Sequence, residues 1–91
     1  MWMAMTEKQI KRRMDEAFDS HYKQYEIEAE WYGNDDSHIW VFDIPSKQIT
    51  VKMEINEEAK RIKICEAQLE KQSDYRYVRE TEWKTRGYYS W

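Results

Sequence analysis

The sequence predicts an α+β fold, an N-terminal amphipathic helix packed on one face of a five-stranded antiparallel meander sheet, in a single domain over residues 1–91. Residues 7–20 repeat apolar side chains at helical spacing. From Tyr25-Glu26-Ile27-Glu28-Ala29-Glu30-Trp31 onward, five short segments alternate apolar with charged residues. Such alternation marks a strand with one buried and one wet face. Two glycines and one proline leave no linker for a second domain.

The helix begins at a capping box. Thr6 is a good N-cap, Gln9 stands three residues on, and Met5 before the cap can staple onto Ile10. Ile10, Met14, Ala17 and Phe18 then share one face, with Lys11, Arg12, Arg13, Asp15 and Glu16 on the rest.

The first strand, 23–32, sends Tyr25, Ile27, Ala29 and Trp31 inward and Glu26, Glu28 and Glu30 outward. Residues 33–37 have the composition of a hairpin loop. The second strand, 38–44, is apolar on both faces, with Ile39 and Val41 on one and Trp40, Phe42 and Ile44 on the other, so it needs cover on both sides. Pro45 ends it. Ile49, Val51, Met53 and Ile55 alternate with polar residues in the third strand, and the short loop 56–60 favours a hairpin into the fourth.

In the fourth strand Ile62 and Ile64 have one parity and Ala67 and Leu69 the other, which predicts a bulge near Cys65-Glu66. Strand is preferred over a helical turn across 65–72. The fifth strand, 75–84, carries Tyr75, Tyr77, Arg79 and Trp83, and a tail, 86–91, follows. The expected core is Ile10, Met14, Phe18, Ile27, Trp31, Val51, Met53, Ile62 and Ile64.

A chain of 91 residues buries a modest share of its surface, and the 15% of aromatic residues, five Trp and seven Tyr among them, compensates. Fifteen basic against eighteen acidic residues, net -3, suit neither a polyanion binder nor a DNA mimic. The single cysteine, Cys65, forms no intramolecular disulfide. No apolar run approaches a membrane span, and Met1-Trp2-Met3-Ala4-Met5 is too short for a signal peptide, so a cytoplasmic protein is expected. This size and composition are a style common among small accessory proteins of bacteria and their phages.

No catalytic, metal-binding or cofactor-binding motif is present, and no cofactor is expected. Asp35, Asp36 and His38 lack the spacing of a metal loop. His21, His38 and Cys65 have no neighbourhood that would make them a nucleophile and base. Lys11-Arg12-Arg13 reads as a solvated helix surface, and the Glu26, Glu28, Glu30 stripe as the charged face of an edge strand. The expected function is a non-enzymatic protein-interaction module, a regulator or inhibitor, acting on a protein partner or through self-association as a homodimer. Its binding residues are Trp40, Phe42, Tyr75, Tyr77, Arg79, Trp83, Arg86, Tyr88, Tyr89 and Trp91. The alternative is a single-stranded nucleic-acid binder, since rings interleave with cations in the C-terminal strand and tail.

Overall fold

Thr6 opens the single helix, α1 (Glu7–Tyr22), through the expected capping box: its Oγ1 accepts from Gln9 N at 3.2 Å, and Gln9 Oε1 accepts from Thr6 N at 2.9 Å. Two otherwise orphaned backbone donors are thereby satisfied. The computed structural model describes residues 4–33, 38–69 and 82–91. Five strands follow the helix: β1 (Glu28–Gly33), β2 (Ile39–Ile44), β3 (Ile49–Asn56), β4 (Arg61–Gln68) and β5 (Lys84–Ser90). They form one antiparallel sheet in the order β1-β2-β3-β4-β5, the meander the sequence predicts.

The register explains the core. Trp40 pairs with Met53 and Met53 with Ile64, while Phe42 pairs with Val51 and Ile55 with Ile62. These side chains line one face, and Ile10, Met14, Ala17 and Tyr22 of α1 close over it. Phe18, Tyr25 and Ile27 pack at the margin of the same cluster. Between β3 and β4, Asn56 Oδ1 accepts from Ala59 N at 2.9 Å and Lys60 takes a positive φ of 54°, a side-chain-supported turn.

Five expectations need correction. The second face is not simply wet: Val41, Thr50, Cys65 and Ala67 are buried there, so β2, β3 and β4 all bury residues on both sides. The change of parity in β4 therefore requires no bulge, and β4 runs in unbroken register with β3. The irregularity lies across from it, since Ile64 opposes Gly87 while Cys65 opposes Thr85, which makes Arg86 the extra residue in β5. Residues 65–68 are strand, as preferred over the helical turn.

The tail is itself a strand: β5 occupies Lys84–Ser90. The strand expected over 75–84 lies outside the described residues except at its end, as does the loop at 34–37. Trp31 is not in the core but 40% exposed. Finally, β1 begins at Glu28 rather than 23, because the helix runs on to Tyr22 and Tyr25 N donates to Tyr22 O at 3.0 Å in the turn that ends it.

Candidate interaction surface

The exposure of Trp31 has a local cause. Glu28 pairs with Asp43 but Trp31 pairs with Val41, so one extra residue sits in β1 at Ala29-Glu30, and Ala29 adopts φ 53°. A bulge of this kind inverts the facing of every residue beyond it. Glu30 and Tyr32 turn to the helix side and Trp31 to the other. Trp40 Nε1 then donates to Glu30 Oε1 at 3.2 Å, and Tyr32 stacks on Trp40 with ring centroids 5.3 Å apart and planes 11° from parallel. The Trp31 ring lies over Gly33, where a Cβ would fall 2.2 Å from Cη2. Only glycine leaves room for the ring in that pose.

Beside this edge, α1 and the β1–β2 pair enclose an apolar groove of about 300 Å³. Ile10, Met14 and Tyr32 line its helix side, Glu7 and Lys11 its rim, and Gly33, His38 and Ile39 its strand end. Lys11 is engaged by Asp15, both carboxylate oxygens lying 3.1 Å from Nζ. Tyr32 remains 52% exposed. Burial, then the Glu30 and Asp15 carboxylates, push its hydroxyl up to about 12.

Tyr22 is raised further, by burial and by donating to Glu66 Oε2 at 2.6 Å. A phenol whose folded pKa exceeds the unfolded value of about 10 holds its proton more tightly when folded. Its contribution to stability is complete below pH ~10 and is lost as pH climbs through the folded value. Denaturant midpoints should therefore fall above pH ~10, with a shallower fall in Tyr22→Phe and Tyr32→Phe. A flat alkaline profile would contradict this assignment.

The structure scatters the residues expected to bind a partner. Trp40 and Phe42 lie beneath α1, 4% and 0% exposed, and are not accessible to a partner there. Tyr75, Tyr77 and Arg79 are outside the described residues. Of the rest, Tyr89 and Trp91 fold toward the helix: Tyr89 Oη donates to Glu16 Oε1 at 3.2 Å, and the Arg13 guanidinium sits 5.2 Å from the Trp91 ring centre. Arg86 pairs with Glu66 at 3.1 Å. On the opposite face Lys52 stands 4.7 Å over Trp83 and Arg61 4.4 Å over Tyr88, which is 46% exposed.

The cations of the Lys11-Arg12-Arg13 cluster have partners, Arg12 and Arg13 on Glu16 as Lys11 on Asp15, which fits the solvated-surface reading of that cluster. Cys65 is buried, with Thr85 Oγ1 3.9 Å from its sulfur. His21 Nδ1 lies 2.8 Å from Ser20 Oγ, and His38 lines the groove, so neither histidine is joined to the thiol by a hydrogen bond among the described residues. Among those residues no group of three His, Cys, Asp or Glu is placed to hold a metal ion, and no helix is long and apolar enough to cross a membrane.

The surface sequence reasoning missed is the Trp31–Tyr32 edge with its groove. Its signal was Trp40, whose indole N–H needs a partner when buried. Glu30 can supply one only if β1 slips by a residue. Comparison with protein-family models, with curated proteins and with solved structures finds no match.

Proposed function

We propose that the chain is a non-enzymatic protein-interaction module whose docking surface is the β1 end of the sheet. The observation that carries this reading is that this one edge exposes a ring on each face of the sheet, Trp31 on one and Tyr32, beside the apolar groove, on the other. Aromatic side chains of this kind are enriched at interfaces, and one already fixed by stacking loses little freedom on binding. The sequence argument from a two-sided β2 no longer bears on a partner, because Val41 and Phe42 are both buried within the chain. A second copy is one form of partner, joined through the same edge. A reducing cytosol suits a protein with one buried, unpaired cysteine.

Cross-linking tests the reading directly. A benzoylphenylalanine in place of Trp31, in the cells that make the protein, should give a discrete adduct. The same group in place of Ser46, exposed in the turn at the far end of β2, should give none. An adduct of twice the 11.3 kDa chain mass would identify the partner as a second copy. No adduct at position 31, or equal adducts at both positions, would overturn the proposal.

The nucleic-acid reading keeps one supporting observation, the exposed Tyr88 beside Arg61 and Lys63. It is weakened because Tyr89, Trp91 and Arg86 face the other way and because cations already rest on Trp83 and Tyr88. Tryptophan quenching by a single-stranded oligonucleotide at low salt, relieved by added salt, would restore it.

A further inference from the structure

We infer that the groove at the β1 end takes a basic peptide segment of the partner, with a Lys or Arg side chain on the open face of Tyr32 and an adjacent apolar side chain against Ile10 and Met14. The inference rests on the docking surface proposed above and adds the chemistry of its occupant.

Charge complementarity comes first. Glu7 on the rim, Asp15 beside Lys11, and Glu30 behind Tyr32 set three carboxylates against the single ammonium of Lys11. Asp15 already satisfies Lys11, so the field that remains in the groove is negative and attracts a cation.

The ring supplies the second argument. One face of Tyr32 is stacked on Trp40 and the ring lines the groove, half exposed. Four rings of this chain carry one of its own cations: Arg13 on Trp91, Lys47 on Tyr25, Lys52 on Trp83 and Arg61 on Tyr88. Among the described residues Tyr32 has no such cation, although the Glu30 and Asp15 carboxylates act on it. A guanidinium brought by a partner would find there both a ring face and neighbouring carboxylates, a combination whose attraction strengthens as the groove is desolvated.

Size limits the occupant. A cavity of about 300 Å³ is at the lower end of ligand sites and holds a few side chains, not a domain. The bulge at Ala29 disturbs the outer edge of β1, which disfavours continuous strand addition and leaves recognition to side chains.

Amide shift mapping with the full chain tests the inference. The probe is a soluble decapeptide of Arg, Leu and Ser. Its controls are the same peptide with citrulline, a neutral isostere, in place of Arg, and one with Glu in place of Arg. The Arg peptide should shift the amides of Ile10, Met14, Gly33 and Ile39, bind at least about 10-fold more tightly than the citrulline peptide, and weaken on raising salt. The Glu peptide should not bind. Tyr32→Leu, which keeps an apolar residue against Trp40, should cost about 5- to 30-fold for the Arg peptide. Glu7→Gln, at an exposed helix position, should weaken it by about 2- to 3-fold.

Equal affinity for the Arg and citrulline peptides at the groove amides would overturn the cationic occupant while leaving the docking surface in place. Absence of Arg-peptide binding up to millimolar concentration, or shifts confined to other amides, would also overturn it. The docking surface itself is decided separately, by the adduct at position 31.

Discussion

Replacing Phe42 by alanine should lower stability by about 3 to 5 kcal/mol. The ring is fully buried and sits in an aromatic cluster, 5.0 Å from Trp40, 5.5 Å from Phe18 and 5.7 Å from Tyr22 between ring centres. Phe18 and Tyr22 meet it edge-on, at 73° and 79°, the favourable arrangement for aromatic pairs. Truncation removes these contacts together and leaves a cavity between α1 and the centre of the sheet, where the strand pairing on both sides of β2 prevents collapse. Total stability of a domain is about 5 to 15 kcal/mol, so the variant should be near the edge of folding. Urea unfolding reads the effect, and each kcal/mol should move the thermal midpoint by about 4 to 8 °C at this size. Were Phe42 instead an exposed binding residue, the loss would stay within about 0.5 kcal/mol.

That contrast shows what the sequence made legible. Helix, strand order and most of the core could be read from it because periodicity is set by burial: Ile10 and Met14 are buried at helical spacing, Val51 and Met53, Ile62 and Ile64 at strand spacing. The reading failed where its premise of one buried face failed. Cys65 and Ala67 are buried on the side opposite Ile64, so a straight central strand looked like a bulged one. The same premise put Trp40 and Phe42 on a binding surface.

The real bulge in β1 was invisible for a different reason. An alanine at φ 53° is disfavoured by roughly 1 to 2 kcal/mol, and no local residue preference announces it. It is held by contacts made elsewhere, the Trp40–Glu30 hydrogen bond and the Tyr32–Trp40 stack. Only pairing with β2 reveals them. The candidate site inherits this property: its exposed rings are placed by long-range register, and the unbroken alternation of 25–31 assigned Trp31 to the wrong face.

Deleting residues 86–91 should abolish cooperative folding, not release a folded chain with a trimmed tail. Those residues hold most of β5, pairing Ser90 with Arg61, Tyr89 with Ile62, Tyr88 with Lys63 and Gly87 with Ile64. Without them β4 becomes the edge, and Ile62 and Ile64, now buried, lose the neighbour on that side. Also lost are the Tyr89 bond to Glu16, the Arg13 contact with Trp91 and the hydrogen bond from Trp91 N to Lys60 O at 3.1 Å. These tie the end of the chain to both α1 and the β3–β4 turn. Their combined loss, with a row of newly unpaired backbone groups, is comparable to the whole stability of a small domain. Far-UV circular dichroism followed through heating should show a broad, featureless change where the intact chain gives a sharp one. A sharp transition in the shortened chain would mean that four strands and the helix suffice, and that Tyr88, Tyr89 and Trp91 are free for another role. If the transition is lost, the oligomeric state of the shortened chain cannot report on a binding surface. Point changes at the exposed Trp31, Tyr32 or Tyr88 must then carry that question.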